Sequence, residues 1–498
     1  MYLGIDLGSS GVKLLLLDER QQPQSTADAA LAQHRPQPTW SEQHPADWLA
    51  ALERAVAQLR AQAPAAWRQI RGIGLSGQMH GAVLLGAQEQ VLRPAILWND
   101  GRAAAECAAL ERAVPAARQI TGNRAMPGFT APKLLWLRTH EPALFAQIRR
   151  VLLPKDWLRL QLTGQAVSDM SDASGTLWLD VGARAWSDPL LQACGLERAH
   201  MPALVEGSAR AGVLRDDVAR RWGLPDGVLL AAGAGDNAAS AVGVGARTAG
   251  QGFVSLGTSG VVFRVTQSFA PATERAVHAF AHALPQRWHQ MAVMLSAASA
   301  FGWVTRLTGP GDEAQRSAAV GAMAQTRQAQ APLFLPYLSG ERTPHNDPAA
   351  SGVFMGLRPG HDATDLAYAV MEGVGFGLLD GLNAIREAGT GDADADTALA
   401  LVGGGARSDP WAQLLASALG CPLQRPQGAH AAAALGAARL AAMACGGDEA
   451  QWCQPLPADA RFTPQAAQQA LLAERYARFV ALYPALQSQF RAPAPGTA

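Results

Sequence analysis

The chain has 498 residues, of which 49% are hydrophobic and 16% charged, and its 41 basic and 41 acidic residues give a formal net charge of zero. This composition is typical of a globular protein of two or three domains. A chain without net charge lacks the field that attracts nucleic acid or an anionic membrane, so we expect neither partner.

Cysteine usage and the first residues both indicate a reducing compartment. The five cysteines are odd in number and none stands at Cys-x-x-Cys spacing, so neither a disulfide framework nor a zinc site is expected. The first apolar run begins at the N-terminus, without the basic region and cleavage site of a signal peptide. The most apolar stretch, residues 429–445, is too short to span a bilayer and predicts a packed helix. The sequence therefore predicts a cytoplasmic protein.

The first predicted element is a β-hairpin with a glycine- and serine-rich turn. Apolar runs at residues 1–5 and 12–17 have strand character, and Gly8, Ser9 and Ser10 lie between them. Such a turn lets the backbone approach a ligand closely and offers several N–H and O–H donors to one anion. This turn is therefore a candidate phosphate-binding site, although a single hairpin of this kind is most often an ordinary turn.

Charged residues flank this turn. Asp6 precedes it, where a carboxylate can face a nucleotide and its Mg²⁺, an ion that takes one or two carboxylates together with substrate phosphates. The alternative for Asp6 is a buried side chain that caps its own turn. Lys13 follows the turn, where it can reach a phosphate oxygen or equally lie solvated at the strand end.

Amphipathic spacing predicts a helix over residues 48–62, and an apolar run predicts a strand over residues 70–75. The segment Gly-Gln-Met-His-Gly at 77–81 follows this strand, a position where α/β sheets present ligand-binding residues. Its His80 is a candidate metal ligand, sugar contact or core histidine. No second histidine or cysteine stands at ligand spacing, which argues against a metal.

The next segment adds polar and aromatic side chains to this candidate sugar site. Asn99 and Asp100 provide hydrogen-bond donors and acceptors, and Trp98 offers a flat apolar face. Core packing is the alternative for the tryptophan. Residues 103–221 then mix helical patterns with irregular segments that contain proline and glycine.

A buried strand predicted over residues 228–235 leads into Asp236. An aspartate placed in this way can accept the proton of a substrate hydroxyl that attacks a γ-phosphate. A helix N-cap is the alternative, but a cap requires neither the flanking glycines nor the adjoining Asn237. The following helix, residues 238–245, consists of small residues, so we expect a bulky group to lie against its backbone.

The second half, predicted to begin near Thr248, repeats the plan of the first. Leu-Gly-Thr-Ser-Gly-Val at 256–261 matches Leu-Gly-Ser-Ser-Gly-Val at 7–12 almost letter for letter. Two matched turns indicate two similar domains that hold one polyphosphate between them. The later elements are predicted as helices over residues 296–308 and 365–387, a loop over 336–348, a strand over 398–402, and a glycine-rich turn at 403–407 that opens a helix at Asp409.

Together these segments resemble the FGGY family of carbohydrate kinases over nearly the whole chain. The resemblance rests on residues 4–13, 256–260 and 403–407, with further family-type segments at residues 77–81, 96–102, 129–136, 153–156, 168–174, 235–239, 335–345 and 352–357. It implies an α/β protein of two actin-like (ribonuclease H-like) domains with a catalytic cleft between them.

The resemblance also implies an activity, in which ATP phosphorylates the 5-hydroxyl of D-xylulose. Asp236 is then the general base, and Asp6 supports Mg²⁺ and the phosphates. The residues assigned to the sugar are Met79, His80, Trp98, Asp100, Asp236 and Asn237. The residues assigned to ATP are Gly8, Ser9, Ser10, Lys13, Gly257, Thr258, Ser259, Gly404, Gly405 and Ser408.

The resulting division of the chain has three parts. Residues 1–246 form a domain that binds the sugar, residues 247–490 form a domain that binds ATP, and residues 491–498 form a proline-rich, disordered tail. The sequence does not set the oligomeric state, and a homodimer is the working hypothesis.

Three alternatives stay open at this point. The same chemistry on ribulose, glycerol or gluconate is the nearest one, and the pair Met79 and His80 argues against it. A chaperone or filament ATPase with the same fold is the second, but no peptide-binding domain follows the second half. An inactive sugar sensor is the third, and the presence of both Asp6 and Asp236 argues against it.

Overall fold

The computed structural model describes residues 1–389 and 397–491. Apart from Arg491, the tail predicted over residues 491–498 lies outside the described residues.

The strands of the first half are β1 (Tyr2–Leu7), β2 (Gly11–Leu17), β3 (Pro23–Ala30), β4 (Glu42–Gln43), β5 (Gly72–Gly77), β6 (Val83–Leu85), β7 (Ala95–Ile96), β8 (Arg150–Leu152), β9 (Val167–Asp169), β10 (Leu179–Asp180), β11 (Ala185–Trp186), β12 (Ala203–Val205), β13 (Arg210–Val213), β14 (Leu229–Ala231) and β15 (Ala234–Gly235). Its helices are α1 (Pro45–Gln62), α2 (Pro64–Trp67), α3 (Ala104–Ala113), α4 (Ala117–Thr121), α5 (Thr130–His140), α6 (Pro142–Phe145), α7 (Pro154–Thr163), α8 (Met170–Ser174), α9 (Asp188–Ala193), α10 (Asp216–Trp222) and α11 (Asp236–Val244).

The second half follows the same alternation of strands and helices. Its strands are β16 (Gly252–Leu256), β17 (Gly260–Thr266), β18 (His278–Ala281), β19 (Trp288–Met294), β20 (Leu333–Leu335), β21 (Val353–Met355), β22 (Leu399–Val402), β23 (Leu423–Pro426) and β24 (Ala458–Phe462). Its helices are α12 (Ala298–Leu307), α13 (Glu313–Gly321), α14 (Gln325–Gln330), α15 (Ala363–Glu387), α16 (Asp409–Leu419), α17 (Ala432–Ala444), α18 (Glu449–Trp452) and α19 (Ala466–Leu486).

Each half is built on a seven-stranded sheet of the same plan. The first sheet has the order β13-β14-β5-β1-β2-β3, with β15 also paired to β5, and the second has the order β18-β19-β17-β16-β22-β23-β24. In each sheet an antiparallel hairpin lies beside a parallel strand: β1 and β2 beside β5, and β16 and β17 beside β22. The two matched sequence turns therefore occupy equivalent positions, which confirms the predicted repeat.

The strand predicted over residues 228–235 is wrong as one element, because the structure divides it into β14 and β15. The chain bends at Gly233, which has a φ of +76°. A Cβ atom there would lie 1.8 Å from the carbonyl oxygen of Leu75 on β5. Glycine is therefore required both for the left-handed conformation and for the close approach of two strands.

Helix α17 belongs to the second half of the sequence but packs on the sheet of the first half. A Cβ atom at Gly4 would lie 1.8 Å from the carbonyl oxygen of Ala434, and one at Gly74 would lie 1.9 Å from that of Ala437. A Cβ atom at Gly436 would likewise lie 1.8 Å from a carbonyl of α11. The bulky group expected against the small residues of α11 is therefore this second helix.

The prediction of a packed helix over residues 429–445 is confirmed by α17, whose apolar side chains are almost all buried. Within the described residues, no helix is long and apolar enough to cross a bilayer. On the opposite face of the first sheet, α1 and α7 pack together, with the rings of Trp48 and Trp157 in edge contact at 6.1 Å. The first sheet is thus covered on both faces.

Candidate active site

The first phosphate-type turn connects β1 to β2 at residues Gly8–Ser10, and the amide of Gly8 donates to the carbonyl of Gly11 at 2.9 Å. Asp6 is paired with Lys13 across the hairpin and with Ser76 on β5. The Ser76 hydroxyl donates to Oδ1 of Asp6 at 2.9 Å. Burial raises the pKa of Asp6, and the bond from Ser76 and the charge of Lys13 oppose this rise.

The ammonium group of Lys13 lies close to the start of α17. Its Nζ donates to the carbonyl of His430 at 2.9 Å. This bond connects the first hairpin to a segment of the second half. The assignment of Lys13 to a phosphate stays a prediction, and the group has two further N–H donors for it.

The second turn, Gly257–Ser259, is braced against the start of α12. Its carbonyl groups accept from that helix: Ala298 N–H donates to Gly257 at 2.8 Å and Ala297 N–H to Thr258 at 3.0 Å. Within the described residues, the amides of Thr258 and Ser259 have no protein acceptor. These amides can therefore serve an anion, as the sequence predicts.

A cavity of about 530 Å³ opens beside the glycine-rich turn of the second half. The turn forms a short 3₁₀ helix, Gly404–Arg407, and Ser408 then caps α16 by accepting from the amide of Trp411 at 3.2 Å. The cavity is lined by Ala298, Phe301, Glu313, Ala314, Ser317, Ala318, Gly404, Gly405, Arg407, Ser408, Asp409, Pro410 and Trp411.

Sequence reasoning missed one wall of this cavity, because it assigned no element to residues 309–335. The structure places α13 there, and its Ser317 hydroxyl lies 2.5 Å from that of Ser408. The signal that was available is Asp312, which caps the helix by accepting from the amide of Gln315 at 2.7 Å. Aspartate before a run of helix formers is a typical N-terminus.

Asp236 is the first residue of α11, and Gly235 is the N-cap, so the N-cap alternative for Asp236 is wrong. Oδ1 of Asp236 accepts from the backbone amide of Asn237 at 2.7 Å and from its side-chain amide at 3.0 Å. Burial raises the pKa of Asp236 to about 6, and the negative charge of Asp6 contributes to the rise. The site thus holds two carboxylates that affect each other.

The predicted sugar loop packs against the residue that precedes Asp236. A Cβ atom at Gly235 would lie 2.8 Å from the sulfur of Met79, so the methionine side chain packs on the residue that precedes Asp236. The ring nitrogen Nδ1 of His80 lies 2.7 Å from the carbonyl of Gly175. Burial lowers the pKa of His80 to about 3, so the imidazole is neutral at pH 7. Because a carbonyl only accepts, Nδ1 carries the hydrogen and Nε2 is an acceptor.

Both halves of the chain surround this imidazole. The ring of Phe129 lies 4.6 Å from His80, and the ring of Phe280 on β18 lies 6.3 Å away. Beside them, Nδ1 of His278 lies 2.7 Å from the side-chain oxygen of Asn123. The residues of β18 were not predicted, since nothing in their local sequence places them next to residue 80.

Asp100, assigned to the sugar, already has protein partners on both carboxylate oxygens. Oδ2 accepts from the amide of Ser41 at 2.6 Å, and Arg102 donates to Oδ1 at 2.9 Å and to Oδ2 at 2.7 Å. Trp98, in contrast, is 40% exposed. The structure therefore places Met79 against Gly235, next to Asp236, and holds His80 on the carbonyl of Gly175, while the contacts of all these residues and of Asp100 with the sugar stay predictions.

A buried acidic cluster lies beneath the loop and is an ion-pair network. The Lys155 ammonium lies 2.5 Å from Asp156, 2.7 Å from Asp169 and 3.2 Å from Asp172. Because this ammonium occupies the centre, the three carboxylates have no need of a metal ion. The network reaches β15 through the Ser171 hydroxyl, which accepts from the amide of Gly235 at 3.1 Å.

Fold and site together define a two-domain α/β protein with a glycine- and hydroxyl-rich turn in each domain and a pair of partly buried carboxylates, Asp6 and Asp236. The model for the N-terminal domain of the FGGY family of carbohydrate kinases matches residues 1–243, and that for the C-terminal domain matches residues 252–445. The chain therefore belongs to the FGGY family of carbohydrate kinases.

Individual relatives agree with this assignment. The chain is 50% identical over 486 residues to the xylulose kinase of Escherichia coli strain K12, covering 97% of this chain and 98% of that one. A crystal structure of a "xyloylose kinase" from Brucella ovis superposes with a TM-score of 0.94 at 50% identity and covers 98% and 99% of the two chains. A gluconate kinase from Lactobacillus acidophilus reaches a TM-score of 0.90 at 24% identity, with 98% of each chain covered, which shows the fold alone.

Proposed function

We propose that this enzyme transfers the γ-phosphoryl group of ATP to the 5-hydroxyl of D-xylulose. The observation that carries the proposal is the partly buried Asp236, which accepts two hydrogen bonds from Asn237 and whose pKa is raised to about 6 by desolvation and by the charge of Asp6. A base with this pKa is ionised at pH 7 and still basic enough to share a proton in a transition state. The name of the Escherichia coli relative supports the choice of sugar.

In the proposed reaction, Asp236 accepts the proton of the 5-hydroxyl while that oxygen attacks the γ-phosphorus. The new O–P bond forms as the bond to the β,γ-bridging oxygen breaks, and ADP is the leaving group. Nε2 of His80 accepts a hydrogen bond from another sugar hydroxyl, and Met79 forms an apolar wall. Both residues orient the sugar relative to the base, which supplies part of the rate acceleration.

The nucleotide is assigned to the second domain and to the first hairpin. The cavity of about 530 Å³ beside Gly404 has the volume for an adenosine group. The amides of Thr258 and Ser259 then donate to phosphate oxygens. On the opposite side, the turn at Gly8–Ser10 offers the corresponding donors from the first domain.

The residues present also fit a magnesium ion. Asp6 is a partly buried carboxylate whose Oδ1 accepts a hydrogen bond from Ser76, and Mg²⁺ needs only one or two carboxylates when substrate phosphates complete its shell. When bound, the ion supplies positive charge that neutralises the phosphates. Asp6 is thus the residue that would hold it, and Asp236 is left to accept the proton.

Replacing the base tests the mechanism. Asp236→Asn keeps the size of the side chain but removes its basicity, so we expect kcat to fall by about 100- to 10,000-fold while ATP binding is retained. A coupled ADP assay and nucleotide titration measure the two properties. Asp226→Asn, at an exposed loop position, is the control and should match the wild type. Near-normal turnover of Asp236→Asn would contradict the base assignment.

A panel of sugars tests the substrate. D-xylulose, D-ribulose, L-ribulose, glycerol and gluconate are compared with a reaction without sugar, at fixed ATP and Mg²⁺. We expect the highest kcat/KM with D-xylulose. A stronger preference for another sugar would leave the role of Asp236 unchanged but would contradict the assignment of Met79 and His80 to D-xylulose.

A further inference from the structure

A buried ammonium group holds the backbone of the sugar loop. Lys133 on α5 is 0% exposed, and its Nζ donates to the carbonyl of His80 at 2.8 Å. The hydroxyl of Thr130, one helical turn earlier, donates to the same oxygen at 3.1 Å. Within residues 1–389 and 397–491, this carbonyl is the only hydrogen-bond partner of the ammonium.

Such an arrangement is unfavourable for Lys133 itself. Removing an ammonium group from water is expensive unless a carboxylate pairs with it, and Lys133 forms no ion pair with the residues that the structure describes. Burial lowers its pKa to about 7, although the more distant charge of Asp100 opposes the shift. The desolvation of Lys133 is unfavourable, but its ammonium stabilises the loop that it contacts.

The loop requires stabilisation because His80 has a φ of +69°. This left-handed conformation is uncommon for a residue with a Cβ atom and persists when the surroundings hold it in place. Two donors on the His80 carbonyl fix the orientation of its peptide plane. The imidazole ring is held by its Nδ1, which donates to the carbonyl of Gly175 at 2.7 Å. The acceptor nitrogen Nε2 is therefore held in one orientation.

We propose that Lys133 and Thr130 are positioning residues for the ketopentose. They hold the His80 peptide in its left-handed conformation, which presents the imidazole to a sugar hydroxyl. The inference rests on the proposed function, because it assumes that the loop binds the sugar. Neither residue contacts the reacting atoms, so both act through His80.

The test replaces the ammonium with an apolar group of similar length, Lys133→Met. Loss of a charge-assisted hydrogen bond to the loop should raise the KM for D-xylulose about 10- to 100-fold. The dissociation constant of the sugar, measured by calorimetry without nucleotide, should rise in parallel. The KM for ATP and the sugar-independent hydrolysis of ATP should stay within about twofold, since Lys133 donates to the carbonyl of His80 and to neither of the turns assigned to ATP.

A second pair of variants serves if Lys133→Met does not fold. Thr130→Val removes the hydroxyl at nearly constant shape and should raise the KM for D-xylulose about 3- to 10-fold. Thr130→Ser retains the donor and should restore most of the affinity. Thr163→Val is the matched control, because this buried threonine donates to the carbonyl of Arg159 within its own helix at 2.8 Å.

Three results would overturn the inference. One is a folded Lys133→Met with a sugar KM within twofold of the wild type. Another is an equal rise in the KM values for sugar and ATP, which would indicate a general structural defect. The third is an equal effect of Thr130→Val and Thr163→Val. If the wild type prefers a different sugar, the proposed function fails separately, and the same KM comparison is made with that sugar.

Discussion

The two carboxylates of the site set its dependence on pH. Burial and the charge of Asp6 raise the pKa of Asp236 to about 6, and only the ionised form accepts a proton. We therefore expect kcat/KM for the sugar to rise tenfold per pH unit below about pH 6 and to level off above it. His80 does not contribute to the pH dependence in this range, because burial lowers its pKa to about 3. Steady-state kinetics between pH 4.5 and 6.5 measure the profile.

A substitution of Asn237 tests whether Asp236 causes the decline of kcat/KM at low pH, the acid limb of the profile. Asn237→Ala removes the side-chain amide that donates to Asp236 at 3.0 Å and thus removes a group that stabilises the carboxylate. The acid limb should then move to higher pH. An acid limb that stays in place, with an otherwise active enzyme, would mean that a group other than Asp236 controls it.

Local pattern was sufficient to find some residues of the site and not others. Asp6 lies two residues before Gly8 near the end of a strand, and Asp236 directly follows Gly235, and this context is visible in a short stretch of sequence. Lys133 contacts a residue 53 positions away, and His278 contacts one 155 positions away. Lys133 in an apolar helix gives no local sign of the carbonyl that it holds, so its role requires the three-dimensional structure.

At the scale of elements, the close packing of α17 on β1 is the most sensitive contact to change. Gly4→Ala would place a Cβ atom 1.8 Å from the carbonyl oxygen of Ala434, and two backbones cannot give way as a flexible side chain can. We expect the free energy of unfolding to fall by about 3 kcal/mol or more. Urea denaturation, or the yield of folded protein, measures the loss.

The control for this change is Gly360→Ala. No atom lies within 4 Å of a Cβ built at Gly360, and its backbone is not in the left-handed region. The free energy of unfolding should therefore stay within about 0.5 kcal/mol of the wild type. If Gly4→Ala behaves like this control, the close approach of α17 is not as tight as the structure has it.

The predicted elements were most accurate where one periodic pattern covered the whole element. The helix predicted over residues 365–387 is α15, Ala363–Glu387, because its apolar face repeats over six turns. The strand predicted over residues 228–235 was wrong, since an apolar run does not reveal that the chain bends at Gly233, which has a φ of +76°, and so divides into two short strands. Helix α13 was missed because its apolar content is low and its burial depends on α15 and α16.

At the scale of the whole molecule, the boundary predicted between residues 246 and 247 does not separate two independent cores. Tyr2, Leu15 and Leu17 of the first half pack in one cluster with residues of α17. We therefore expect residues 1–246, expressed alone, to lack a cooperative unfolding transition, because the sheet face around Gly4 is uncovered. Co-expression with residues 247–498 should restore it. Thermal denaturation and limited proteolysis of both samples measure the difference.

A fragment of residues 1–246 that unfolds cooperatively by itself would contradict this expectation. It would show that α17 adds to a core that is already complete. The complementary fragment, residues 247–498, is the comparison, because its own sheet is formed without any strand of the first half.

The position of α17 also bears on how the protein is made. The helix ends at Ala444, so 444 − 246 = 198 residues follow the predicted first domain before the element that covers its sheet is complete. At a synthesis rate of about 5 to 20 residues per second, this takes roughly 10 to 40 s. During that time a nascent first domain exposes an apolar sheet face on the ribosome. A chaperone that binds nascent chains would therefore find its target in the first half of this enzyme, well before the second half is finished.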